Sequence, residues 1–289
     1  MNKLVSNHLT DTHWREIFLL VAGLKGSADS LLLQMEKQAQ RYLNTPKLQG
    51  LIQWTDEATA GSKGAYKSAA KRAAAAYLAL TLDLTLDINR ALALIQDQDQ
   101  DPDINLDLVL VSNLKLVRDG TRNVVRNRAL DLVRDLILDR DLDRDLSLDR
   151  DLVRNLVGIR DHDLILSLDR DLNRARQFNQ LNIFKTSNLN ALIGRLEALK
   201  TQIPDKTAPQ VDRLAFVTRM YKTWINALQI NPDLVKLSWK EGNDLTEFLA
   251  ANHLIIQCKT AAVRVSRQVW EGIEERMLTI SKDNQSCKS

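Results

Sequence analysis

Asp97, Asp99, Asp101 and Asp103 alternate as the oxygen ligands of a calcium loop do. The remaining chemistry of such a loop is missing: Pro102 stands where the sharp turn requires glycine, and Leu108 where a bidentate glutamate closes the shell. His8 and His13 are five positions apart, which does not set two imidazoles on one helical face, and His162 and His253 have no ligand partners nearby in sequence. They read as surface or interface histidines. Cys258 follows His253 by five positions, so on a continuous helix the two point about 140° apart, and a packed thiol is expected rather than a nucleophile with its base. The glycines of AGSKGAY (residues 60–66) lack the spacing of a phosphate cradle and mark a loop. Lys259, Arg264 and Arg267 could meet a phosphate, but no run of aromatics interleaves with them, and a solvated or intrachain-paired face is expected. No catalytic residue, metal ligand or cofactor site follows from these residues.

Composition narrows the classes further. The chain has 289 residues, with 40 basic and 37 acidic side chains and a net charge of +3. No overall field implies a polyanionic partner, and nucleic acid is not expected. Charge is nonetheless uneven, with 8 basic and 12 acidic residues in 129–174 against 16 and 11 in 175–289. Cys258 and Cys287 are too few for a disulfide framework or a four-thiolate zinc site. The longest clean apolar run, Ile17 to Leu24, is far shorter than the roughly 20 residues a membrane span needs. A soluble, cytoplasmic protein without membrane contact is expected. Only 5 prolines and 10 glycines make helix the default.

Four blocks must position whatever the chain uses. Residues 8–43 read as a helical hairpin: Asp11 or Thr12 can cap a helix bearing Trp14, Phe18 and Val21, and Gly23 and Gly26 break it. A second helix from Ser27–Asp29 carries Leu32, Met35 and Ala39 and stops at Asn44-Thr45-Pro46. Such a hairpin buries little alone, and its apolar face is expected to pack on a neighbouring unit, as in helical solenoids. After Leu48, Leu51, Ile52 and Trp54 comes an alanine-rich run of high helix propensity.

From Leu78 the chain alternates apolar and polar residues, and Ala129–Arg174 becomes a low-complexity spine of Leu, Asp and Arg. Period two is formally a strand signal, yet Asp is depleted in strands and the leucine face would carry Arg134, Arg140, Arg144, Arg150 and Arg154. As helix, the same residues give leucines four apart and Asp131/Arg134, Asp141/Arg144 and Asp151/Arg154 pairs three apart. Helix is the reading adopted, with a solvated turn at Pro102.

Beyond Asn179 the complexity returns to normal. Leu189, Leu192, Leu196 and Leu199 mark one helix, and Leu214, Val217, Tyr221, Trp224, Ile225 and Leu228 mark a second with Pro209 in its first turn. Asp244 can cap a third with Leu245, Phe248, Leu249 and Ile256, and Ser266 a fourth with Trp270, Ile273 and Met277. Trp14, Phe18, Trp224, Phe248 and Trp270 are the expected core or interface anchors. The predicted fold is all-α: a HEAT-like hairpin (1–46), a Leu/Asp/Arg-rich helical region (47–178), a C-terminal helical bundle (179–281) and a polar tail (282–289).

At the C-terminal block, LTEFLAANHLIIQCKTAAVRVSRQVWEGIEERML, preceded by LIGRLEALKTQIP and MYKTWINALQINPDLVKLS, resembles the carboxy-terminal helical domain of bacterial NACHT-type NTPases of the STAND class. NHLTDTHWREIFLLVAGL resembles the segment that joins the helical repeats of those proteins to this domain, so that the likeness spans 8–280. The resemblance implies a signalling or antiphage-defence setting, in which a central module holds the nucleotide and the C-terminal helices sense a signal or hold that module inactive. None of the NACHT motifs occurs here, and no ATPase residue or cofactor is carried over. Three readings stand at this point: a non-enzymatic regulatory module with a protein partner, a NACHT NTPase module in cis or in trans; the C-terminal part of an ATP-hydrolysing protein whose NTPase module is encoded upstream; and an inert gene remnant.

Overall fold

In a computed structural model, residues 2–95, 120–136, 164–185, 188–205 and 207–281 are described. The Asp97–Asp103 alternation, the turn at Pro102, His162, Cys287, the middle of the spine and the polar tail lie outside them. Every regular element among the described residues is helical, which bears out the all-α expectation. The α-helices are α1 (Asn2–His8), α2 (Arg15–Leu24), α3 (Asp29–Ala39), α4 (Pro46–Thr59), α5 (Ser68–Ile95) and α6 (Gly120–Leu136). They continue as α7 (Leu164–Leu181), α8 (Leu189–Leu199), α9 (Gln210–Leu228), α10 (Trp239–Ala261) and α11 (Arg267–Arg276).

The alternating sequence is helical wherever it is described, through the second half of α5, in α6 and in α7. The reason is visible in α7: Leu164, Leu168, Leu172, Ala175 and Phe178 are buried at spacings of four and three, so a period-two pattern still supplies a helical stripe. Polar residues that share this buried arc are paired inside it. Arg174 Nη1 donates to Asp171 Oδ1 at 2.7 Å, with both side chains almost fully enclosed. At the start of the spine, Asp131 lies 3.9 Å from Arg128, one turn earlier.

Local signals set most of the boundaries. The Asp11 carboxylate accepts from the His13 backbone N–H and caps a short turn, Thr12–Trp14, that leads into α2. Thr45 caps α4, and Pro46 occupies its first turn. Three expectations are corrected. Pro209 sits at the N-cap, just before α9, and not within its first turn. Asp244 lies inside α10, which starts earlier because Ser238 and Glu241 form a reciprocal capping box. Ser266 does occupy the N-cap of α11, but its hydroxyl makes no capping bond.

Helix α6 is packed between α5 and α10, and α4 and α9 flank α5. Helix α8 bridges α7 and α9. On the other side, the hairpin α2–α3 lies on α10, while α11 packs against α3 and α5. The neighbour expected for the N-terminal hairpin is therefore supplied by this same chain. One apolar core runs from Val5 to Leu278, and it draws on both ends of the sequence.

Candidate interaction surface

Two hairpin turns lie side by side, one joining α2 to α3 and the other joining α10 to α11. The Ala28 N–H donates to the Arg264 carbonyl at 3.0 Å, and the Ser266 N–H donates to Asp29 Oδ1 at 2.8 Å. A Cβ on Gly23 would stand 3.3 Å from the Ala261 carbonyl, so the ends of α2 and α10 nearly touch. Further back, Arg15 Nε donates to Gln257 Oε1 at 3.0 Å. The Ser266 backbone N–H holds the Asp29 carboxyl below the usual carboxylate range, against partial desolvation and with help from the side chains of Ser266 and Ser27 and from Arg264.

The exposed face of this junction is apolar. Phe18 and Ala22 of α2 are buried, while Ile17, Leu20 and Leu24 recur at i, i+3 and i+7 on the opposite arc, with Leu20 60% and Leu24 78% exposed. Val263, in the neighbouring turn, is 80% exposed. Cations gather at the same end: Lys25 and Lys259 close to the C-termini of α2 and α10, then Arg264 and Arg267. Two of these positions suit the negative ends of the helix dipoles. Arg267 is occupied by Glu271 at 2.7 Å, and Lys259 Nζ stands 5.4 Å from the centroid of the Trp270 ring.

The anchor residues separate into two kinds. Phe18, Trp224 and Phe248 have no exposed surface. Trp14 is half-buried and stacked on His8, ring centroids 4.1 Å apart, and Trp270 is half-buried at the two-turn junction beside Lys259. His8 and His13 both turn to Asp11, at 3.9 and 3.1 Å. His253 Nε2 lies 2.7 Å from Asp135 Oδ2, a contact that ties α10 to α6 when that nitrogen carries the proton, with Gln257 Nε2 3.2 Å away on the next turn. Cys258 is buried, and burial pushes its thiol up to about 12, which leaves it protonated and unreactive. Among the described residues no group of three His, Cys, Asp or Glu could hold a metal ion, and no helix is long and apolar enough to cross a membrane.

Residues 192–280, roughly the C-terminal third, match the family model described as NACHT C-terminal Helical domain 2. This part of the chain is a NACHT C-terminal helical domain. No curated protein and no solved structure matches the chain. The match begins within α8 and takes in α9, α10 and α11, together with Trp224, Phe248, Trp270, Val263 and the cations Lys259, Arg264 and Arg267. Trp14, Phe18, Leu20 and Leu24 lie outside it, so the exposed surface is shared between the matched C-terminal helical domain and the N-terminal hairpin. Such a domain is a non-catalytic helical domain, set in the context of NACHT NTPases.

Sequence reasoning named Lys259, Arg264 and Arg267 but passed over Leu20, Leu24 and Val263. A signal for two of them was present. Ile17–Leu24 is apolar at nearly every position, and a helix that packs one arc leaves the remainder of such a run in water.

Proposed function

We propose that this chain is a regulatory or sensor module of a NACHT-type signalling or defence NTPase, working in the cytoplasm through protein–protein contact and catalysing no reaction itself. The observation that carries the reading is the NACHT C-terminal Helical domain 2 match over 192–280. The exposed apolar stripe of α2 beside that domain supports it, since exposed apolar surface continued across two elements is a mark of interaction sites. Contact with the NTPase module, in cis or in trans, would shift that module between inactive and active states by the difference in how well the helices bind each.

The test is co-purification of the full chain from native lysate, followed by ATP turnover of the recovered partner with and without added chain. Recovery of a NACHT-module protein whose turnover changes when the chain is added is the expected result. Recovery of monomer alone at every salt concentration, or a partner whose turnover ignores the chain, would overturn the reading.

A further inference from the structure

The stripe on α2 and the 262–266 turn make one surface with a definite chemistry. Ile17, Leu20 and Leu24 have the spacing of a seam that one further helix fills. Val263 lies two residues beyond Ala261, whose carbonyl stands beside Gly23, and so adds exposed apolar surface close to the C-terminal end of the stripe. At this end of the seam the cations Lys25, Lys259, Arg264 and Arg267 outnumber the carboxylates Asp29 and Glu271. Lys25, Lys259 and Arg264 form no ion pair among the described residues; of the carboxylates at this end, Asp29 is bound by the Ser266 N–H and lies in the field of Arg264, and Glu271 is held by Arg267.

We propose that this surface receives an amphipathic helix of a partner protein. Its apolar side chains lie along Ile17, Leu20, Leu24 and Val263, and its carboxylates face Lys25, Lys259 and Arg264. The proposal rests on the reading that the chain works by protein contact, and it adds which surface does so and what the partner presents. An anionic lipid surface fits less well. The cations cluster at one end of the stripe, whereas a helix that lies on an anionic lipid surface carries basic residues along its length.

The experiment uses the full chain and a fluorescent helical peptide with leucine at i, i+3 and i+7 and glutamate at the positions between. Fluorescence anisotropy is expected to show saturable binding that weakens with salt. The double variant L20D/L24D is expected to bind at least tenfold more weakly, about 1.4 kcal/mol, and Arg264→Glu to lose affinity in the same direction. Val211→Asp, at an exposed valine of α9, is the control and leaves binding unchanged. All these side chains are exposed, so unchanged circular dichroism separates loss of binding from loss of fold.

Equal binding by L20D/L24D, or equal binding of a peptide with lysine in place of glutamate, overturns the proposal. So does binding of phosphatidylserine vesicles, with the same residue dependence, where the peptide fails. The two readings fail separately. A NACHT partner retained by wild type and L20D/L24D alike removes this surface and leaves the function standing, whereas absence of any partner for wild type removes the function.

Discussion

Trp224 is enclosed on all sides, and its indole N–H meets no acceptor among the described residues. Its contribution is therefore packing, and Trp224→Ala is expected to cost about 3–5 kcal/mol in a urea melt. Trp239, 66% exposed at the start of α10, is expected to change stability by no more than about 0.5 kcal/mol when replaced by alanine. Cys258 gives a chemical counterpart. With its thiol near 12 and buried, it is expected to resist iodoacetamide in the native state at mildly alkaline pH and to react after unfolding, read by peptide mass mapping. At Glu241, desolvation alone would raise the carboxyl, but hydrogen bonds from the Ser238 backbone and hydroxyl, with Lys47, hold it below its ordinary value. A carboxyl depressed in the folded state adds stability above its unfolded pKa of about 4.3, and that stability is lost as pH falls through the folded value. Ser238→Ala is expected to cost about 1 kcal/mol near neutral pH and to shrink the acid-side loss, checked by melts at both pH values. The sequence showed Phe18, Trp224 and Phe248 as apolar anchors because helical spacing reports burial. It did not separate them from Trp14 and Trp270, since half-burial depends on which helix lies alongside.

Helices here are held to one another by polar ties that no single segment announces. Arg72 of α5 is buried, donating from Nε to the Met277 carbonyl, from Nη2 to the Glu275 carbonyl and from Nη1 to Asp56. Burial lowers the pKa of this guanidinium and Asp56 opposes the shift, yet it stays charged across the working range. Arg72→Ala strands two carbonyls at the meeting of α4, α5 and the end of α11, and a loss of about 1–3 kcal/mol for each of them is expected by chemical denaturation. Asp56→Ala should cost less, because that side chain is 45% exposed and its removal leaves the two carbonyl bonds in place. Gly64 is a second such tie. A Cβ there would meet the Leu181 carbonyl at 2.5 Å, where the loop after α4 runs against the end of α7 and the Gly64 N–H donates to Asn182. Gly64→Ala must push two backbones apart, and a lower melting temperature is the expected readout. In the sequence AGSKGAY was legible as a loop, but the need for glycine at 64 was not, because the atoms that forbid a side chain belong to residues more than a hundred positions away. The capping box was legible in Ser238 and Glu241, and Asp244 drew the boundary inward only because it stands next to the first buried leucine.

Across the whole molecule, the matched C-terminal helical domain does not close its own core. Helix α10 is covered by α2, α3 and α6, and α11 by α3 and α5, so residues 192–280 on their own would leave these faces in water. The excised segment is expected to show weak helicity and no cooperative transition, against a single sharp melt for the full chain, both read by circular dichroism. The all-α class was legible from proline and glycine counts and from the failure of a strand to give a dry face. The pairing of the first hairpin with the last was not, because each helix advertises an apolar arc without naming its partner. That pairing also sets a timetable. Arg15 meets Gln257 across 242 residues, so a ribosome adding roughly 5–20 residues per second releases the hairpin about 12–50 s before its cover exists. For that interval Phe18, Leu31, Leu32 and Met35 face the cell unshielded, and the newborn chain depends on whatever holds it until its last helices emerge.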